Sequence, residues 1–150
     1  MPLLDRAAIA ARIPHAGRMC LLERVMHWDQ RAIRCAALSH RDQNNPLRDA
    51  QGLPVWAAIE YAAQAAAVHG ALLRAETAPR AGVLAALRDV NAYCERLDII
   101  DEELIFSASL LHSDVAGAIY RFEAHGGEKL LLSGQFTLMY LNGKQGVKKA

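Results

Sequence analysis

In the second half of the chain, apolar residues fall at every other position. Leu104, Phe106, Ala108 and Leu110 alternate with Ser107 and Ser109. Tyr120, Phe122 and Ala124 alternate with Arg121, Glu123 and His125, and Leu130, Leu132, Phe136, Leu138 and Tyr140 keep the same period of two. That period places successive side chains on opposite faces of a strand, so these segments predict an antiparallel sheet with one buried face. Gly126-Gly127 is the signal of a two-residue hairpin, and 98–103 and 113–117 read as turns. Upstream, 18–28 and 32–39 predict a hairpin around Trp28-Asp29-Gln30-Arg31, and 80–95 a long mixed strand. Leu3, Leu4, Ala7, Ala8 and Ala11 sit near helical spacing, in a short amphipathic helix that Pro14 stops.

One segment breaks the alternation. LPVWAAIEYAAQAAAVHGALLRAE, 53–76, is mostly alanine and predicts a helix over about 54–76, with Pro54 in its first turn and its exit at Ala78-Pro79 and Gly82. A helix that is apolar nearly all round must be covered on most sides. The order of elements therefore gives an α+β class: a curved antiparallel sheet wrapped around one long central helix, with 1–150 as a single domain. Alanines let the sheet approach closely, and its exposed edges favour edge-to-edge dimerisation.

From Val55 to Leu73 the helix carries one formal charge, Glu60, with Gln64 one turn later. A carboxylate on an apolar helix has either a partner or a task, so Glu60 leads the candidate residues. Its structural alternative is a carboxylate bonded to backbone amides or to an arginine such as Arg88.

Composition narrows the field. Apolar residues make up 53% and charged residues 22%, and the net charge is +1, so no dense basic face speaks for nucleic acid. The lysines of 143–150 read as a solvated terminus. Cys20, Cys35 and Cys94 form neither a CxxC pair nor a zinc spacing, and their odd number argues against a disulfide framework, which suits a reducing cytoplasm. Asp5, Arg6 and Arg12 interrupt what a signal peptide would need as an apolar run, and Glu60, Gln64 and His69 speak against a membrane span. His69 reads as a packed or surface residue, with no His or Glu at helical spacing to make a metal site. His27, His112 and His125 lie incidentally in strands.

These residues also carry a resemblance. IPHAGRMCLLERVMHWD, 13–29, resembles the opening of the hotdog-fold β-hydroxyacyl-acyl carrier protein dehydratases: a Pro-His segment, here Pro14-His15, then a hydrophobic strand with an Arg-Val element, here Leu21-Leu22-Glu23-Arg24-Val25. The stretch from Asn45-Pro46-Leu47 to LPVWAAIEYAAQ resembles the family's central helix, on which a catalytic acid is followed four residues later by a glutamine. Glu60 and Gln64 fall on those positions. The form LPxWxxIEYxAQ is similar to the dehydratase-like proteins of aryl-polyene pigment gene clusters. The dehydratases place their general base in a Gly-His-Phe-Pro loop before the helix. This chain has Asn45-Pro46-Leu47-Arg48-Asp49-Ala50-Gln51-Gly52 there, with no histidine.

The resemblance implies dehydration of a 3-hydroxyacyl thioester carried on acyl carrier protein or coenzyme A, in fatty acid or polyene biosynthesis, with no cofactor and no metal. Such a reaction needs a base at C2, an acid at C3 and donors for the thioester oxygen. Glu60 takes the part of the acid, and the amides of the first helical turn, around Val55 and Trp56, face the thioester carbonyl. Gln64 orients Glu60 or binds substrate. The base falls to His15, in the Pro-His segment, or to His40, at the head of the loop; His15 is preferred because it stands at a family motif position. Each has a plainer alternative, His15 as a turn cap and His40 as an exposed loop residue. Trp56 and Tyr61 either pack or contact substrate, and Arg88 either meets a phosphopantetheine phosphate or is solvated. Two other functions stay open: a non-catalytic partner of a complete hotdog dehydratase, in a homodimer or heterodimer, and a thioesterase using the same carboxylate.

Overall fold

The computed structural model describes residues 4–13, 17–75 and 82–141. The Pro14-His15 segment, the helix exit at Ala78-Pro79, the first residues of the 80–95 segment and the C-terminal lysines lie outside that range. A short helix, α1 (Arg6–Ala10), is followed by a 3-10 turn at Gly17–Met19 and by the hairpin of β1 (Arg24–Trp28) and β2 (Ala32–Ala37). Next come the long helix α2 (Ala57–Leu73) and four strands, β3 (Gly82–Ala92), β4 (Leu104–Ser113), β5 (Gly117–Gly126) and β6 (Lys129–Tyr140).

Short polar side chains make the turns. The Asp5 carboxylate accepts from the Ala8 amide and caps α1. Asp29 accepts from the Arg31 and Ala32 amides between β1 and β2, and Asp114 from Ala116 and Gly117 between β4 and β5. The last hairpin turns on Gly127-Glu128, one residue later than the Gly-Gly pair suggests, with Gly127 at φ 61, where glycine meets no steric penalty.

The described strands form one antiparallel sheet in the order β1-β2-β4-β5-β6-β3. Its inner layer holds Phe106, Tyr120, Phe122 and Phe136, all buried. Gly134 stands opposite Phe122 in the register, and a Cβ there would come within 3.1 Å of that ring, so the ring occupies the space a side chain would fill. Helix α2 lies against this layer with Ala58, Ala62, Ala65 and Ala66 inward, and Tyr61 stacks on Phe106 at 4.9 Å. A buried polar group ties the loop before the helix to the core. The Tyr61 hydroxyl bonds Ser39 Oγ at 2.7 Å and accepts from Asn45 Nδ2 at 2.9 Å, while Asn45 Oδ1 accepts from Leu47 N.

Three boundaries differ from the sequence pattern. The first strand begins at Arg24, not at residue 18, because Cys20, Leu21 and Leu22 are all buried in succession, which a strand with one covered face does not allow. The helix begins at Ala57, not at 54, because Leu53 to Val55 pair with another segment: Leu97 N donates to Leu53 O and Val55 N to Glu95 O. It ends at Leu73, before the expected 76, because Arg74 is its C-cap and Ala75 turns to φ 56°.

The helix packs chiefly on β2, β4 and β5. Strands β6 and β3 run on past it. Along β3 every residue but Val90 is exposed, with Val83 at 45%, Leu84 at 38% and Leu87 at 49%. Among the described residues the sheet thus ends in an apolar, unpaired edge beside the flank of α2 that carries Glu60.

Candidate functional site

Glu60 lies in the first turn of α2 and is half-buried. Its position follows from the clamp at the helix entrance: the bonds to Glu95 and Leu97 fix Leu53 to Val55, and Asp98 accepts from the Leu53 amide at 2.8 Å. Burial tends to raise the Asp98 carboxyl, but the backbone amides of Leu53 and Asp98 and the charges of Arg96 and Arg48 outweigh it, so the group stays below its ordinary value. The clamp requires Gly52. A Cβ there would come within 2.6 Å of the Asp98 carboxylate, and φ is 128°.

Glu60 opens onto a cavity of about 250 Å³ between α2 and the overhanging strands. On the helix side it is bounded by Glu60, Ala63, Ala67 and Arg74, which share one face of α2 at spacings of three, four and seven. Val83, Leu84 and Leu138 form the facing apolar wall, and Arg12 and Tyr140 add polar groups. A carboxylate beside an apolar trough suits a substrate that has a polar head and a hydrocarbon tail.

The other candidate residues fall as follows. Gln64 is buried and both ends of its amide are engaged: Oε1 accepts from Leu21 N at 3.0 Å, and Nε2 donates to Met19 O at 2.6 Å. It anchors the backbone just downstream of the Pro14-His15 segment. His15 itself lies outside the described residues. The Val55 amide is engaged with Glu95 O and that of Ala57 with Pro54 O, while the Trp56 amide has no acceptor among the described residues. Trp56 is 54% exposed at the helix cap, not in the core. Arg88 is exposed on β3 opposite Gln135 and does not line the Glu60 cavity.

His40 is fully buried rather than an exposed loop residue, with Nε2 at 3.0 Å from Ile100 O, because its 3-10 turn packs under the segment leading to β4. His69 is equally buried. Its Nε2 faces Asp29 O, which can only accept, so that nitrogen carries the proton and Nδ1 accepts from the Tyr120 hydroxyl at 2.7 Å. Burial holds both imidazoles below their ordinary value, against the backbone carbonyls that favour protonation. A histidine with a lowered folded pKa keeps its full contribution above the unfolded value and loses it as pH falls. The unfolding free energy from urea titrations is therefore expected to fall as pH drops below about 6.5, by up to about 1.4 kcal/mol per pH unit for each group. A free energy that stays flat below that pH would show that the two rings ionise freely in the fold.

Sequence reasoning did not single out Arg12, Arg74 or Tyr140. Arg74 was detectable, since it continues the Glu60 face of the helix; Arg12 and Tyr140 arrive from distant segments. Among the described residues, no group of three or more His, Cys, Asp or Glu could hold a metal ion, and no helix is long and apolar enough to cross a membrane.

A single long helix wrapped by a curved antiparallel sheet, with a carboxylate in its first turn, defines a hotdog-fold protein. The chain belongs to the ApeP-like dehydratase family, described as ApeP dehydratase, whose model matches residues 7–146. Among solved structures, the dehydratase heterocomplex ApeI:P from Xenorhabdus doucetiae shares 24% identity over 97% of this chain and 96% of that one, with a TM-score of 0.81. A mutant thioesterase from Pseudomonas aeruginosa shares 14% identity over 79% of this chain and 81% of its own, with a TM-score of 0.56. A hypothetical thioesterase with coenzyme A from Streptococcus pneumoniae shares 12% over 79% and 84%, with a TM-score of 0.57. At these identities the structural likeness carries the fold. No curated protein sequence matches the chain. Family and fold together make this a dehydratase-like hotdog protein.

Proposed function

We propose that the chain takes part in dehydrating a 3-hydroxyacyl thioester, with Glu60 as the group that protonates the departing hydroxyl. The observation that carries this reading is the cavity: Glu60 stands at one end of an apolar trough on the helix face, next to the first turn. A histidine takes the C2 proton, the C2–H electron pair becomes the C2–C3 double bond, the C3–O bond breaks, and the Glu60 proton leaves with the hydroxyl as water. The Trp56 amide, at the positive end of α2, is the proposed donor to the thioester oxygen as charge grows there. His15 is the proposed base within the chain. Gln64 supports it by fixing the backbone at Met19 and Leu21. Arg88, on the outward surface of β3, is a proposed contact for the carrier's phosphate.

A second reading is favoured by β3. Its exposed Val83, Leu84 and Leu87 beside the Glu60 cavity suit pairing with another hotdog chain, and the ApeI:P structure of the same fold is a heterocomplex. In that arrangement the partner supplies the histidine and this chain supplies Glu60. Incubating the purified chain with 3-hydroxyacyl thioesters separates the readings. Enoyl product from the chain alone supports the His15 route. Product only after adding a hotdog dehydratase from the same gene neighbourhood supports a shared site. Release of free thiol would replace dehydration by thioester hydrolysis.

A further inference from the structure

A second cavity adjoins the Glu60 cavity. That second cavity, about 580 Å³, lies at the far end of α2 against the β4–β5 turn, and Leu73, Leu110, Val115 and Ala118 supply its apolar surface. The two cavities share only Arg74 and Tyr140 among their lining residues. Arg74, at the C-cap of α2, holds its guanidinium carbon 5.0 Å from the centre of the Tyr140 ring, and its Nη1 donates to the Tyr140 hydroxyl at 3.3 Å. A cation over an aromatic face with a hydrogen bond to the same ring is a directed contact. Gly70 lies beneath the pair, where a Cβ would come within 3.0 Å of Arg74 Nη1 and 3.3 Å of the Tyr140 hydroxyl. The absence of a side chain at 70 thus leaves the pair room to close over the trough.

On the helix side, Glu60, Ala63, Ala67, Gly70 and Arg74 form one continuous line. At 1.5 Å per residue it runs about 15 Å from the carboxylate to Gly70. Nothing larger than alanine stands in it before the Arg74–Tyr140 pair. Arg74 and Tyr140 are the residues that line both cavities, a polar pair that hydrocarbon passing from the first to the second would have to displace.

We infer that the Arg74–Tyr140 pair is the ruler that sets the acyl-chain length accepted at Glu60, by closing the trough before the second cavity. The inference rests on the acyl-thioester reading of the site. A chain shorter than the trough gains apolar contact with each added methylene. A longer one meets the guanidinium and the phenol, and either coils back or breaks their contact. Removing the pair joins the two cavities and moves the limit outward.

Binding tests this without requiring turnover. The probes are amide analogues of 3-hydroxyacyl-pantetheine thioesters in a homologous series, titrated calorimetrically against the full chain. Affinity for the native chain should rise by about fourfold per buried methylene and then stop rising. In Arg74→Ala and in Tyr140→Ala the short members should bind within about threefold of native, while the rise continues to longer chains. Leu73→Trp, which narrows only the second cavity at a half-exposed site, should leave the native profile unchanged and restore the early break in the Arg74→Ala background. A break at the same length in native protein and in folded Arg74→Ala and Tyr140→Ala, or no break in native protein, would overturn the inference. Failure of the dehydration reading alone would show differently: the length profile would stand, and no enoyl product would form with or without a second hotdog chain.

Discussion

Glu60→Gln is expected to lower enoyl-thioester formation by about 10²–10⁴-fold in whichever assembly, single chain or shared site, proves active. The amide keeps the size and reach of the carboxyl but has no acidic proton to deliver to the C3 hydroxyl. Affinity for the pantetheine amide series should change far less, since the trough of Ala63, Ala67 and Leu138 is untouched. This pattern, a fall in kcat with a nearly constant binding curve, marks an interaction that matters in the transition state more than in the ground state. Thermal unfolding supplies the control, because a half-buried residue at the edge of a cavity contributes little to packing. A variant with native turnover would return Glu60 to a structural role at the mouth of the groove.

Gln64→Leu should be the most damaging single change to the fold among the residues discussed. Leucine fills the space but leaves the Leu21 amide and the Met19 carbonyl without the partners they now have. Each buried backbone group stranded in this way costs about 1–3 kcal/mol. A combined loss of about 3 kcal/mol would lower Tm by roughly 6–12 °C in a chain of this size. In Gln64→Glu the carboxylate still accepts from Leu21 N but sets a buried charge against the Met19 carbonyl oxygen, so a loss comparable to that of Gln64→Leu is expected at neutral pH. Calorimetry on the pair checks this, and two unfolding transitions identical to the native one would show that the 19–21 backbone finds other partners at no cost.

Where a side chain's environment is set by its neighbours in sequence, the pattern along the chain was enough. Strands β4, β5 and β6 are legible because Phe106, Phe122 and Phe136 each sit two residues from the next inward position, and α2 because an alanine run with one charge has few other uses. What stayed hidden depends on distant segments. His40 looks like a loop residue until Ile100, sixty positions on, closes over it. The helix entrance moves to Ala57 because Glu95 and Leu97 bond the residues before it. Cys20, Leu21 and Leu22 read as strand because burial without alternation has the same composition as a fully covered strand. Of the site, Glu60 was visible as an exception to its surroundings, but the closing pair was not, since Arg74 and Tyr140 stand 66 positions apart and meet only in the fold.

The sheet order also governs when the molecule can be completed. Among the described residues strand β3 has a single neighbour, β6, the last of the described strands, with Gly82 paired to Tyr140. During synthesis β3 therefore emerges before β4 and β5 and waits, without its partner strand, until β6 has followed them. Long-range pairing of this kind is slow. The waiting strand carries Val83, Leu84 and Leu87, so the interval before β6 arrives is when the nascent chain is most exposed to wrong pairings. The yield of folded protein should accordingly depend more on growth temperature and chaperone supply during expression than on the final stability of the fold.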